Sequence, residues 1–276
     1  MKVILLTGAT GFVGEKLLRD LRERAYQIRL VLREGSQSSY GNMKGIESII
    51  ITPDLFAEPS SWWEKTCDGI DTVIHSAWYT EPGQYLQSDK NIDCLIGTMN
   101  LVKGATIAGI KKFVGIGTCF EYAMSNKPLT VSSPLKPLSP YAAAKAATFI
   151  VLSEYLQSKN IDFLWCRLFY LYGENEDARR LATYIRHQIL KNQLVELTSG
   201  NQIRDFLDVK DAAKEIIDAT EANIVGCKNI CSGVGISVRE LAERIADEFG
   251  RRDLLRFGVR QENLIDPPYV VGSKDK

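Results

Sequence analysis

A glycine-rich turn lies between the first apolar run of the chain and its first amphipathic stretch. The predicted strand is Lys2 to Thr7, the predicted helix is Phe12 to Arg24, and the turn reads Gly8-Ala9-Thr10-Gly11-Phe12-Val13-Gly14. Glycines let the backbone turn tightly and leave amide N–H groups at the positive end of the helix, where they can hold an anion. This context predicts a dinucleotide site, with a purely structural turn as the alternative. The turn residues predicted to bind the pyrophosphate are Gly8, Gly11, Phe12, Val13 and Gly14.

Apolar runs alternate with amphipathic stretches as far as about Gly173, which predicts an α/β fold with a Rossmann-type, doubly wound parallel sheet. The further predicted strands are Gln27 to Leu32, Ser48 to Ile51, Thr72 to His75, Lys112 to Ile116 and Phe163 to Leu168. The further predicted helices are Asp89 to Ala108, Ser139 to Asn160, Ala178 to Lys191, Val209 to Glu221 and one that begins at the Ser237 capping box. We expect a dinucleotide-binding domain over 1–173 and mainly a smaller substrate-binding lobe over 174–276, with about 204–232 returning to the Rossmann body.

Composition excludes several other classes of protein. Lys plus Arg equals Asp plus Glu, 34 against 34, so no net charge attracts the chain to nucleic acid or to an anionic membrane. The six cysteines form no Cys-x-x-Cys pair, and with two histidines available we predict no metal site. The sequence has no signal-peptide core and no membrane span, so we expect a cytoplasmic protein.

The end of the second predicted strand bears on the choice of cofactor. Arg33, directly after the strand, suits the 2′-phosphate of NADP, whereas Glu34, 20 residues beyond Gly14, suits the ribose 2′-hydroxyl of NAD. We favour NADP(H), because Ser36 can add a hydroxyl, and keep NAD(H) as possible; two solvated loop charges are the structural alternative. After the third and fourth strands, the residues predicted to line the cofactor groove are Asp54, Leu55, Ser76 and Ala77. We expect the neighbouring His75 to be a packed core residue.

A tyrosine four residues before a lysine places both side chains on one helical face. The chain has this spacing at Tyr40/Lys44, Tyr141/Lys145 and Tyr155/Lys159. Context selects Tyr141 and Lys145, because Tyr141 lies in the first turn of a helix that is capped by Ser139 and follows the fifth strand. Thr118, at the tip of that strand, is the third candidate catalytic residue.

Together these motifs resemble the extended short-chain dehydrogenase/reductase family, in its branch of nucleotide-sugar epimerases, dehydratases and ketoreductases. The resemblance also rests on Asp71-Thr-Val-Ile-His75-Ser-Ala77, Arg167-Leu-Phe-Tyr-Leu-Tyr-Gly173 and Arg204-Asp-Phe-Leu-Asp-Val209. It implies that Tyr141 is the general acid/base, with a phenol pKa lowered by Lys145, and that Lys145 also holds the nicotinamide ribose. Thr118 would bind the substrate oxygen. Arg204 would bind the nucleotide diphosphate, with Phe169 and Tyr170 flanking the nicotinamide and the substrate.

Departures from the family narrow the predicted activity. Dehydratases of the family carry acids where this chain has Cys119 and Phe120, so we argue against dehydration. Glu121, one place further on, should point elsewhere. Cys119 is expected to be a small side chain of the substrate pocket, and the aromatic loop that begins with Trp78 and Tyr79 is expected to stack on the sugar or close over it.

Three interpretations of function remain open. The first is NADP(H)-dependent reduction of a keto group, at C4, of a nucleotide-activated deoxysugar. The alternative is a nucleotide-sugar 4-epimerase that retains NAD, and a third is a dinucleotide-sensing module without catalysis. The resemblance also implies a homodimer that packs through Asp89 to Ala108 and Ser139 to Asn160, where small and apolar residues permit close helix contact.

Overall fold

The computed structural model describes residues 2–24, 26–36, 40, 43–262 and 266–274. Its strands are β1 (Val3–Thr7), β2 (Gln27–Arg33), β3 (Ile46–Thr52), β4 (Thr72–His75), β5 (Lys112–Thr118), β6 (Asp162–Leu168), β7 (Tyr170–Tyr172), β8 (Val195–Glu196), β9 (Ile203–Asp208), β10 (Gly226–Ile230), β11 (Gly235–Ser237), β12 (Leu255–Arg256) and β13 (Tyr269–Val270). Its helices are α1 (Phe12–Glu23), α2 (Ser60–Thr66), α3 (Lys90–Ile107), α4 (Pro140–Ser158), α5 (Leu181–Leu190), α6 (Val209–Glu221) and α7 (Val238–Asp247). Short 3₁₀ turns cover Cys119–Glu121 and Arg252–Leu254.

The central sheet confirms the predicted α/β fold. Its strands are all parallel and lie in the order β10-β6-β5-β4-β1-β2-β3. The chain starts in the middle at β1, moves outward to β3, and then crosses to β4 on the other side. This reversal separates the carboxyl ends of β1 and β4 and opens a crevice there, which is where sheets of this kind bind ligands.

Both faces of the central sheet are buried, so its strands read as continuous apolar runs rather than as alternating ones. Alternate residues of β1 point to opposite faces. Leu6 packs in one buried cluster with Leu17 of α1 and Ile216 of α6. Leu5 packs in the other with Leu101 of α3 and Leu152 of α4.

The predicted helix starts are confirmed where a side chain caps them. The Ser139 hydroxyl accepts a hydrogen bond from the Ala142 amide at the start of α4, and Ser237 accepts one from Glu240 at the start of α7. Sequence reasoning missed α2, whose seven residues are too short to show a clear helical period.

A smaller sheet follows the central one along the chain. In it β9 pairs with β7, β11 and β13, and a separate two-stranded sheet joins β8 to β12. The helices α5 and α7 share a buried cluster that includes Ile185, Val195 and Ile245. Between these elements the chain returns to the main body, since α6 packs on α1 and β10 pairs with β6.

No helix in the described part of the chain is long and apolar enough to cross a membrane. Within the same residues, no group of three or more His, Cys, Asp or Glu side chains could hold a metal ion. Five cysteines are buried free thiols: Cys67, Cys94, Cys119, Cys166 and Cys231.

Candidate active site

A cavity of about 610 Å³ runs along the carboxyl ends of the central strands and continues to the smaller sheet. The residues predicted from the sequence that line it are Gly8, Gly11, Phe12, Val13, Gly14, Arg33, Leu55, Ser76, Ala77, Trp78, Thr118, Cys119, Tyr141, Lys145, Phe169, Tyr170 and Arg204. The fold therefore brings the glycine turn, the tyrosine–lysine pair and the predicted substrate residues to one space.

The glycine turn is packed too closely to accept side chains at two of its positions. A Cβ on Gly14 would lie 1.9 Å from the Gly8 carbonyl oxygen, and a Cβ on Gly8, at φ +75°, would lie 2.6 Å from the Ala77 nitrogen. A Cβ on Gly11 would meet only the Gly8 oxygen, at 3.3 Å. The first amide groups of α1 have no intrahelical acceptors and face the cavity at the positive end of the helix dipole. A cradle with this shape fits a pyrophosphate.

The two charges after β2 differ in position. Arg33 and Ser36 line the cavity, whereas Glu34 is exposed and is not among the described residues that line it. Asp54 is likewise exposed outside the lining, and its carboxylate accepts a hydrogen bond from the Phe56 amide. Asp54 was predicted to line the cofactor groove but does not line this cavity, whereas its neighbour Leu55 does.

The three candidate catalytic side chains, Thr118, Tyr141 and Lys145, are all buried. Thr118 ends β5 and accepts a hydrogen bond from the Phe120 amide, which opens the 3₁₀ turn. Tyr141 lies in the first turn of α4, and its ring meets the Tyr85 ring edge to face, with 4.8 Å between centroids. Lys145, one helical turn later, donates from Nζ to the Ile116 carbonyl oxygen at 2.6 Å. Strand β5 and helix α4 thus fix the trio from two sides.

Burial has the largest effect on the pKa values of Tyr141 and Lys145. It raises the pKa of Tyr141 above the usual value of a phenol, although a hydrogen bond with the Thr118 side chain lowers it. It also lowers the pKa of Lys145 to about 7. The expectation that the Tyr141 pKa lies below the usual value of a phenol is therefore wrong for the protein alone, because burial of Tyr141 outweighs any stabilisation of its phenolate and also destabilises the Lys145 ammonium.

The loop after β4 does not have the expected arrangement. The Trp78 ring lines the cavity but lies over Lys145, with 3.7 Å between Nζ and the ring centroid. The Tyr79 ring lies instead under the Lys90 ammonium, 4.7 Å from it, and Tyr79 is not among the described residues that line the cavity.

The substrate end contains a buried cation and an unpaired hydroxyl. Arg204 is 2% exposed, and its guanidinium forms an ion pair with Asp266 at 2.7 Å. It also lies 5.2 Å from the centroid of the Tyr170 ring. The Tyr170 hydroxyl is buried and has no hydrogen-bond partner among the described residues. Such a group is costly to leave unpaired, so this end of the cavity is suited to a polar ligand.

Cys119 and Phe169 complete this wall of the cavity, and both are buried. Burial raises the pKa of the Cys119 thiol to about 12, so the thiol stays neutral and is no acid or base near pH 7. The geometry therefore agrees with the argument against dehydration, which needs an acid at this place.

Glu121 points away from the cavity, as predicted. Its carboxylate accepts hydrogen bonds from the Thr118 amide, the Trp165 indole and the Arg167 guanidinium. His75 is also a core residue: its ring bonds to the hydroxyls of Thr7 and Thr98, and burial lowers its pKa to about 3.

Sequence reasoning missed several lining residues. They are Thr10, Phe56, Thr80, Tyr85, Phe120, Glu176, Arg180, Leu181, Ala182, Phe206, Val238 and Asp266, among others. Arg180 is the most informative, because its guanidinium forms no ion pair or side-chain hydrogen bond with the described residues. A cluster of charges at 174–180, around the start of the predicted helix Ala178 to Lys191, was the available signal for it.

Comparisons with known proteins agree with this geometry. A model of the NAD dependent epimerase/dehydratase family matches residues 4–228. The chain is 23% identical over 273 residues to a dTDP-6-deoxy-L-talose 4-dehydrogenase (NAD(+)) of Aggregatibacter actinomycetemcomitans, covering 98% of this chain and 99% of the relative. It is 28% identical over 263 residues to a putative UDP-glucose 4-epimerase of Methanocaldococcus jannaschii, covering 91% of this chain and 83% of the relative.

Solved structures share the fold. A UDP-N-acetylglucosamine 4-epimerase from Methanobrevibacter ruminantium, in complex with UDP-N-acetylmuramic acid, superposes with a TM-score of 0.85 at 24% identity, covering 99% of this chain and 89% of that one. A Thermus thermophilus UDP-glucose 4-epimerase in complex with NAD gives 0.81 at 22% identity, covering 99% and 90%.

Proposed function

Because the chain belongs to the NAD dependent epimerase/dehydratase family, whose members are enzymes, we propose that it oxidises and reduces C4 of a nucleotide-activated sugar, as a 4-epimerase that retains NAD. The observation that carries the proposal is the convergence of Thr118, Tyr141 and Lys145 on the cavity that the glycine turn opens. A sensing module without catalysis has no use for this trio. Among the relatives and neighbours above, 4-epimerases recur, which favours epimerisation over net reduction.

The residues that would hold the dinucleotide are those of the glycine cradle and Lys145. When bound, the nicotinamide supplies the hydride acceptor and donor. Tyr141 would take the proton from the C4 hydroxyl and return it to the C4 oxygen, acting at its own phenolic oxygen. Thr118 would hold the same substrate oxygen, and Lys145 would stabilise negative charge on Tyr141. Burial of all three excludes water from the reaction.

The diphosphate of the substrate would bind at the substrate end. Arg204 supports this as a buried guanidinium facing the cavity, since guanidinium and phosphate form paired hydrogen bonds. Arg180 offers a second cation at the cavity, and it forms no ion pair with the residues that the structure describes. In this proposal the sugar lies between Tyr141 and Tyr170, whose hydroxyl would gain a partner from it.

Net reduction is the second candidate function. It is favoured by Arg33 and Ser36 in the cavity lining, which suit the 2′-phosphate of NADP, and by the dehydrogenase relative that matches nearly the whole length of both chains. Arg33→Ala tests the cofactor: we expect the affinity for NADP⁺ to fall about 10-fold or more while that for NAD⁺ is unchanged. Equal effects on both affinities would contradict a role for Arg33 at a 2′-phosphate.

One experiment separates the two functions. The purified protein is denatured, the released dinucleotide is identified by mass spectrometry, and the native protein is then assayed with nucleotide sugars that differ at C4. Retained NAD and interconversion of two C4 isomers without net change at 340 nm would support the epimerase. Stoichiometric NADPH or NADH consumption by a 4-keto sugar would overturn it in favour of the reductase.

We further propose a homodimer in which α3 and α4 of two copies pack together. Ile92, Ile96, Ile150 and Val151 are large apolar residues that these helices leave about half exposed. The small residues Ala142 and Ala146 of α4, by contrast, are buried within the chain. Ile96→Lys should convert a dimer into a monomer in sedimentation velocity; an unchanged sedimentation coefficient would exclude this interface.

A further inference from the structure

We propose that Trp78 is a positioning residue for Lys145. The face of the Trp78 indole holds the Lys145 ammonium group in place and keeps it charged. This rests on the proposed function in so far as Lys145 serves the reaction there. Nothing in the sequence pattern pointed to it, since the loop of Trp78 was expected to contact the sugar.

The contact is direct. Lys145 Nζ lies 3.7 Å from the centroid of the Trp78 ring and donates a hydrogen bond to the Ile116 carbonyl oxygen at 2.6 Å. An ammonium group has three N–H donors. One is used by the carbonyl and one faces the π system, which leaves one for a ligand in the cavity. The Trp165 ring lies 5.8 Å from Nζ, near the limit at which a ring attracts a cation.

The indole is itself held in place. Its Nε1 donates to the Asn91 side-chain oxygen at 2.9 Å, and Asn91 is fully buried. The amide nitrogen of Asn91 donates in turn to the carbonyl oxygens of Tyr85 and Ser88. The ring therefore reaches Lys145 as part of a fixed network from α3 and the preceding loop.

Few other groups stabilise the positive charge on Lys145. The titratable groups that face it are His75 on β4, Cys94 on α3, Glu121 in the 3₁₀ turn and Tyr141 on α4. His75 and Cys94 are neutral near pH 7, because burial lowers the pKa of one and raises that of the other. Glu121 is hydrogen-bonded to Arg167, and no carboxylate among the described residues forms an ion pair with Lys145. Burial lowers the pKa of Lys145, and the indole face, together with the Ile116 carbonyl oxygen, opposes this by direct contact with Nζ.

Fluorinated tryptophan tests the proposal without changing the shape of the site. Tryptophan analogues with increasing numbers of ring fluorines are introduced at position 78 alone, which progressively weakens the negative face of the ring. The Lys145 pKa is then read from NMR titration of protein labelled with ¹³C at lysine Cε, with the signal assigned by its loss in Lys145→Arg. We expect the pKa to fall stepwise, by about one unit in total.

The same analogues at position 165 are the matched control, and there we expect a much smaller change. A Lys145 pKa that stays constant or rises with fluorination at position 78, or an equal response at both positions, would overturn the proposal. The titration needs neither substrate nor cofactor, so it stands even if no nucleotide sugar is turned over. With a turned-over substrate, the alkaline limb of kcat/KM should move to lower pH by the same amount, which a purely structural role of Trp78 would not produce.

Discussion

Replacing Gly14 by alanine tests whether the glycine turn is held by packing or only by its ligand. The added Cβ would lie 1.9 Å from the Gly8 carbonyl oxygen and 2.6 Å from the Gly8 carbonyl carbon. Both Gly8 atoms that the new Cβ would contact belong to the backbone, so no side-chain rotation relieves the contact. The first turn of α1 must move away from the end of β1 until the shorter distance is at least 3.0 Å.

The expected cost follows from two opposing effects. Overpacking against backbone costs about 3 kcal/mol, and exchanging glycine for alanine within a helix returns about 1 kcal/mol. The free energy of unfolding should therefore fall by about 2 kcal/mol, which lowers the unfolding temperature of a chain of this size by about 4 to 8 °C. Differential scanning calorimetry without added dinucleotide measures this directly.

Gly11→Ala is the matched control, because its Cβ meets only the Gly8 oxygen, at 3.3 Å, and its backbone is extended at φ −87° and ψ 167°. We expect an unfolding temperature within about 2 °C of the wild type, but a dinucleotide affinity at least about 10-fold weaker, since the methyl group projects to where the pyrophosphate must approach. If Gly14→Ala unfolds at the wild-type temperature, or if Gly11→Ala is the less stable of the two, the packing argument is refuted.

Three other predictions follow from buried polar groups. Tyr141→Phe should reduce kcat by about 10² to 10⁴ without lowering the unfolding temperature, because it removes the proton-transfer atom and a single hydroxyl that bonds to the Thr118 side chain; turnover near the wild-type rate would contradict its role. Burial lowers the pKa of His75 to about 3, so as the pH falls the unfolded state binds a proton at this histidine before the folded state does. The free energy of unfolding should therefore fall by about 1.4 kcal/mol for each pH unit on going from about pH 6 to pH 4. Urea denaturation should show this slope flattened in His75→Gln. Glu121→Gln should lower the free energy of unfolding by about 3 to 5 kcal/mol, because it leaves the Arg167 charge buried and unpaired, and adding Arg167→Met should restore much of that stability. A double variant less stable than Glu121→Gln alone would exclude the ion pair as the cause.

The part of the site nearest the cofactor could be predicted from the sequence because local signals define it. The glycine turn, Thr118 at the tip of β5, and Tyr141 after the Ser139 cap each lie at the end of an element whose start or stop is encoded by adjacent residues. In a parallel sheet those ends meet at one edge, so their order along the chain predicts that they share a site.

The pKa values of the site residues and the contacts between their side chains could not be predicted from local sequence signals. A helical spacing shows that Tyr141 and Lys145 share a face, but not that both are buried deeply enough for desolvation to outweigh their mutual attraction. Likewise, Trp78 reaches Lys145 only because Asn91, from the next helix, fixes its ring. These contacts depend on the packing of separate elements, which no local pattern records.

The two halves of the cavity are built from different kinds of structural element, so substitutions have different effects in each half. The cofactor half consists of strand ends and backbone amides that the central sheet fixes. The substrate half draws Tyr85, Tyr170, Arg180 and Asp266 from loops and from short strands of the smaller sheet. Substitutions there leave the buried clusters of the central sheet intact, because none of these four residues belongs to the cores that pack its two faces. If the chain has the function proposed above, its sugar specificity can therefore change at those positions while the hydride and proton transfers proposed for Thr118, Tyr141 and Lys145 stay the same.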